Sequence, residues 1–173
     1  MSRPQKDEIL ERLVFSDGLA EAYARPEREC VRPAGDHWTR PVLLERIAYL
    51  RKLARFSEGA AFDTIRALPG YDLLLMVLLR SGDALADETH GRTFVVLDGQ
   101  ATLVTGGRLV KPLRKCDGEV RGTAVEGGIN RELRRGDVFH VGAGIPHQFL
   151  LSGDKSFSSM ILRVDESAER GTV

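Results

Sequence analysis

The sequence predicts an all-β domain, an antiparallel barrel or sandwich, behind an N-terminal helical extension. From residue 60 onward, short apolar segments alternate with Gly, Pro, Asp and Asn punctuation: "PG", "SGD", "DG", "CDG", "RRGD", "GAG". The segments between them have strand length and strand composition, among them "YDLLLMVLLR", "TFVVL", "DVFHV", "HQFLL" and "SFSSMILRV". Upstream, the pattern changes to helical spacing and a proline-rich linker. These shifts divide the chain into a helical extension with linker over 1–58, a barrel over 59–166 and a tail over 167–173.

In chain order, residues 7–24 read as a helix, with Ile9, Leu10, Leu13 and Val14 on one stripe. "RPERECVRPAGDHWTRP" reads as linker. A second helix starts near Pro41, because proline suits a first helical turn and Thr39 is available as a cap. Its core face is Leu43, Ile47, Leu50 and Ala54. "VVLDGQATLV" (95–104) reads as a hairpin turning at Asp98–Gly99, a pair that suits positive φ. Residues 111–130, rich in glycine, read as a long loop of the kind that is often functional or mobile.

The bulk numbers exclude several classes. Of 173 residues, 42% are hydrophobic and 29% charged, which is ordinary for a soluble globular protein. Lys plus Arg equals Asp plus Glu, so no basic excess points to nucleic acid. The densest basic cluster, "RELRR" (131–135), reads as a solvated strand edge. Cys30 and Cys116 stand far apart without a CxxC pattern, which suits reduced thiols. "MSRPQKDEILERL" lacks the apolar centre of a signal peptide, and the longest apolar run, "LLLMVLL", is too short to span a bilayer. The expectation is a cytoplasmic protein with no membrane or nucleic-acid partner. There is no Gly-x-Ser-x-Gly and no P-loop, which removes the serine-hydrolase and NTPase readings.

"GDVFHVGAGIPH" (136–147) resembles the second motif of the cupin superfamily, with Gly136, Asp137, Gly144 and His147 at matching positions and Gly142 where the family usually has proline. "TFVVLDGQATLVTGG" resembles the end of the first motif, with Gly99 as its closing glycine. The chain is similar in particular to small bacterial single-domain cupins carrying an insertion like "GEVRGTAVEGG" before the second motif. The resemblance covers roughly residues 60–165 and implies an antiparallel double-stranded β-helix, the jelly-roll barrel, that pairs as a homodimer. It also implies that the corner after Pro146 delivers His147 into the barrel.

In cupins that histidine usually joins two histidines and a carboxylate around a divalent metal. Counting back from Gly99 puts those positions at Asp87, Thr89 and Arg92, so the first motif is degenerate. A catalytic centre needs about three imidazole or carboxylate ligands, and here only His147 and Asp87 qualify. Arg92 repels a cation and suits a salt bridge with Asp87. A one-residue slip would turn Glu88 and His90 inward instead, but it would also move the apolar set to the wrong face. No cofactor is therefore expected; the alternative is an Fe, Mn, Zn or Ni ion held by His147 and Asp87.

His147, Asp87 and Arg92 offer an acid/base imidazole, a carboxylate and an anion-binding guanidinium. Thr89, His140, Phe94, Phe149 and Met160 are the candidate substrate contacts. Three functions stay open for a small organic ligand: a metal-independent isomerase, cyclase or lyase; a non-catalytic binding or regulatory barrel; and a metal-dependent oxygenase or isomerase.

Overall fold

The computed structural model describes residues 36–115 and 118–166. Its one described helix, α1 (Arg40–Ala54), opens with Thr39 extended at the N-cap and Pro41 in the first turn. The Thr39 carbonyl accepts from the Leu43 N–H at 3.1 Å, while its hydroxyl makes no cap hydrogen bond. The helix expected over residues 7–24 lies outside the described residues.

Twelve strands follow among the described residues: β1 (Ala60–Leu68), β2 (Tyr71–Leu78), β3 (Ala84–Asp87), β4 (His90–Thr105), β5 (Arg108–Val110), β6 (Leu113–Arg114), β7 (Glu119–Gly122), β8 (Ala124–Glu126), β9 (Ile129–Arg134), β10 (Val138–Val141), β11 (His147–Leu150) and β12 (Phe157–Asp165). All their pairings are antiparallel. The N-terminal half of β4 belongs to a first sheet ordered β1-β2-β12-β4-β10. Its C-terminal half belongs to a second sheet ordered β9-β4-β11-β3-β7-β6. A separate two-stranded ladder joins β5 and β8.

Asp98–Gly99 is thus not a hairpin turn. The 16-residue β4 runs through it, and the pair marks where the strand leaves one sheet for the other. Gly99 has φ +81°, and a Cβ there would overlap the Ser156 carbonyl oxygen. Positive φ at an Asp-Gly pair serves a bend inside a strand as well as a two-residue turn. Beside it the Gly136–Asp137 turn carries the chain from β9 to β10, with the Gly136 N–H donating to Val96 O and the Val96 N–H to Asp137 O, each at 2.9 Å. The 111–130 segment is likewise no open loop; it contributes β6, β7 and β8. Arg131, Arg134 and Arg135 are exposed on and just after β9, at the margin of the second sheet, as the charge run suggested.

Two apolar clusters hold these layers together. Between the sheets lie Phe94, Val96, Leu103, Phe149, Phe157 and Ile161. Phe94 stacks on Phe139 with centroids 4.7 Å apart and meets Phe149 edge-on at 5.2 Å. On the outer face of the first sheet, Ile47, Leu50 and Ala54 of α1 pack against Ala61, Leu75 and Val77. Each of these larger side chains contributes about 1.5–3 kcal/mol on burial. The described residues from Trp38 onward accordingly form one compact unit that includes α1. Among the described residues, no helix is long and apolar enough to cross a membrane.

Candidate functional site

A cavity of about 410 Å³ opens between the two sheets. Its body is apolar, with Leu74, Met76, Phe94 and Ile161 from the first sheet facing Leu85 and Phe149 from the second. Its polar lining includes Arg92, Glu119, Arg121 and His147, with Arg80, Asp83 and Arg163 also on it. Such a mixture of apolar walls and a few convergent polar groups is typical of small-molecule sites.

His147 begins β11, where it pairs with Thr105 of β4 and Leu85 of β3. Phe149, two residues later, is fixed inward by the core, so the period of two turns His147 inward with it. The imidazole is 4% exposed and meets Phe94 and Phe149 edge-on. Its Nδ1 lies 3.2 Å from the Ile145 carbonyl oxygen. A carbonyl only accepts, so Nδ1 carries the proton and Nε2 keeps its lone pair. Burial pushes the imidazole down to about 4; the Ile145 bond opposes this, and the Arg92 charge adds to it. The ring is neutral at physiological pH.

Asp87 ends β3 and is 2% exposed. Its Oδ1 accepts from the backbone N–H groups of Thr89 (3.2 Å) and His90 (3.0 Å), and its Oδ2 from Arg92 Nη2 at 2.8 Å. The same Nη2 donates to Glu119 Oε1 at 2.6 Å, and Arg121 holds Glu119 Oε2 at 3.0 Å. Burial alone would raise both carboxyls. Arg92, with His90 at Asp87 and Arg121 at Glu119, reverses that and holds Asp87 at about 2 and Glu119 below its ordinary value. The salt bridge expected between Arg92 and Asp87 is present, and Glu119 joins it.

The sequence-selected residues separate into two groups. His147, Arg92, Phe94 and Phe149 line the cavity, and Asp87 sits behind Arg92. Thr89, His140 and Met160 lie elsewhere. Thr89 is in the β3–β4 turn, with Oγ1 bonded to Asp87 Oδ1 at 3.2 Å. His140 pairs with Thr93, on the face of the first sheet opposite Arg92 and Phe94, and is 54% exposed. Met160 packs against the α1 cluster, because buried Phe157 sets Ile161 and not Met160 inward. Glu88 is paired with Arg114 at the surface, so the register is the unslipped one. Glu119 and Arg121 were missed because their segment reads as loop; their spacing of two, on either side of Val120, is the strand signal that marks them.

The donor set does not suit a divalent ion. A guanidinium occupies the position a carboxylate ligand would need, and it already bonds the neighbouring acids. Among the described residues, no three His, Cys, Asp or Glu side chains converge as ligands.

Two antiparallel sheets share β4, and the corner after Gly136–Asp137 brings a histidine into the space between them. The fold is an antiparallel double-stranded β-helix barrel. Solved structures similar to this chain include KdgF from Halomonas sp., at 16% identity and TM-score 0.45, covering 65% of this chain and 85% of that one. The Cnp3 cupin domain of Schizosaccharomyces pombe is similar at 10% identity and TM-score 0.48, covering 64% and 68%. A Cupin 2 conserved barrel domain protein from Salinispora arenicola is similar at 17% identity and TM-score 0.44, covering 64% and 81%. No protein-family model and no curated protein matches the sequence.

Proposed function

We propose that this cupin barrel binds a small organic acid or ketone and moves a proton on it without a metal, as an isomerase or cyclase does. The observation that carries this reading is the juxtaposition of His147 and Arg92 on one cavity wall, with the His147 tautomer fixed by Ile145. A neutral imidazole with a free Nε2 lone pair is a general base. It takes a proton from the carbon beside a carbonyl, and the C–H electron pair shifts onto the carbonyl oxygen. Arg92 stabilises that oxygen through Nη1, which makes no hydrogen bond among the described residues, while Nη2 is held by Asp87 and Glu119. Return of the proton at another atom completes an isomerisation. The apolar body of the cavity takes the rest of the ligand and strengthens both contacts by excluding water.

A panel of 2-oxoacids, simple ketones and aliphatic or aromatic carboxylates, screened by thermal shift, identifies binders. Bound carbonyl compounds are then followed by proton NMR in D₂O. The expected result is exchange of α-protons with wild-type protein, its loss in His147→Ala, and weaker binding in Arg92→Lys. Binding without any exchange overturns the catalytic reading. It leaves the second reading, a non-catalytic binding barrel, which is favoured by the neutralisation of Arg92 by two carboxylates before any ligand arrives.

A further inference from the structure

The geometry points to Glu166 as the positioning residue for His147: its carboxylate clamps the corner whose carbonyl fixes the imidazole tautomer. The inference rests on the proposed role of His147 only for its functional meaning, since the clamp itself is a matter of hydrogen bonds.

Glu166 follows β12 and reaches three separate segments. Its backbone N–H donates to Thr89 O at 2.8 Å in the β3–β4 turn. Its Oε2 accepts from the Ala143 N–H at 2.9 Å, inside the Gly142–Pro146 corner. Its Oε1 lies 3.6 Å from His140 Nε2 on β10. The side chain is 29% exposed, so the Ala143 N–H would lose a part-buried partner if the carboxylate left.

The corner is short and has few other ties. The Ile145 N–H closes it onto Gly142 O at 3.2 Å, the Gly144 N–H donates to Asp87 O at 2.5 Å, and Pro146 O accepts from the Gly106 N–H at 2.9 Å. Within this frame the Ile145 carbonyl accepts from His147 Nδ1. The path from Glu166 to the imidazole is therefore two residues long: Ala143 is anchored, Ile145 is two positions on, and Ile145 carries the acceptor. A neutral imidazole chooses its tautomer by which nitrogen finds an acceptor. Releasing Ala143 frees the Ile145 carbonyl to turn, and the preference for Nδ1–H weakens.

Gly91 supplies an independent sign that this place is kept for the carboxylate. A Cβ at Gly91 would overlap the Glu166 carboxylate, so the carboxylate keeps its place only while residue 91 has no side chain. Gly91 does not have positive φ, so alanine is compatible with its backbone. Gly91→Ala is thus a second way to expel the carboxylate while leaving Glu166 in the chain.

The test uses ligand-free protein labelled with ¹⁵N in histidine, with long-range ¹H–¹⁵N spectra of the His147 ring assigned by comparison with His147→Gln. In the wild type, Nδ1 is expected as the protonated nitrogen and Nε2 as the bare one. Glu166→Ala and Gly91→Ala are each expected to move both nitrogens toward the average of the two tautomers. Glu166→Gln, whose amide oxygen still accepts from Ala143, is expected to keep the wild-type pattern. If either alanine variant is folded by near-ultraviolet circular dichroism and its His147 nitrogens are unmoved, the clamp is refuted; Gly91→Ala serves if Glu166→Ala fails to fold. A purely stabilising role for Glu166 would lower the melting temperature without changing the tautomer. Because no ligand is present, the outcome is independent of whether the barrel turns anything over.

Discussion

Arg92 Nη2 donates to Asp87 Oδ2 at 2.8 Å, and the acid on the receiving end is 2% exposed. A carboxylate that buried stays ionised because the cation beside it, with the hydrogen bonds from His90, outweighs its burial.

Removing the cation should therefore cost more than removing both charges. Arg92→Met leaves Asp87 buried without its counterion and Glu119 with Arg121 alone, and is expected to lose about 3–5 kcal/mol in urea unfolding. Arg92→Met combined with Asp87→Asn is expected to lose less than Arg92→Met alone, since the uncompensated charge goes with it. A double variant less stable than the single one would show that Asp87 is not held by Arg92.

Stability should fall in acid in two steps. His147 is held at about 4, below its ordinary 6.5, so between those values the unfolded chain binds a proton that the folded chain does not. Stability is full above about pH 6.5 and declines as pH falls toward 4, by about 3 kcal/mol in all. Asp87, held at about 2 against 3.8, contributes above 3.8 and loses its share, about 2 kcal/mol, as pH falls through 2. Urea midpoints measured every half unit check this. His147→Gln is expected to flatten the upper limb and leave the lower one.

Gly99→Ala is expected to destabilise the barrel by more than about 2 kcal/mol, from positive φ and from overlap with the Ser156 carbonyl together. Guanidinium unfolding measures it. A loss under half that size would mean the bend at Asp98–Gly99 can relax.

Leu50 is 2% exposed, between α1 and the outer face of the first sheet. Leu50→Ala is expected to cost about 2–5 kcal/mol while the transition stays single and cooperative. Two separated transitions would show α1 to be a dispensable attachment.

Much of the fold was legible because its signals are local. The strand-length apolar segments "DVFHV" and "HQFLL" and the turn residues around them fix strands without knowledge of partners. Proline and an apolar stripe mark α1 in the same way. Asp98–Gly99 misled because positive φ is a local requirement, whereas the choice between a hairpin and a crossing strand depends on Ser156, far along the chain. The site was half legible. Asp87, Arg92 and His147 follow from motif spacing and do come together. Glu119 and Arg121 arrive on β7, a strand of four residues whose existence depends on pairing with β3. Met160 and Ile161 are both apolar, so only the burial of Phe157 decides which faces in.

The passage of β4 through both sheets also governs where this chain can change over generations. One residue inserted in β4 would invert the facing of every side chain beyond it, and the ladders on either flank would fail together. The far margin of the second sheet carries no such burden, since β6 and β7 have few strands depending on them. Lengthening or recasting that margin alters Glu119 and Arg121, and with them the polar lining of the cavity, while the scaffold stays as it was. Part of the cavity's polar lining is thus placed where drift is cheap, and the imidazole where it is not.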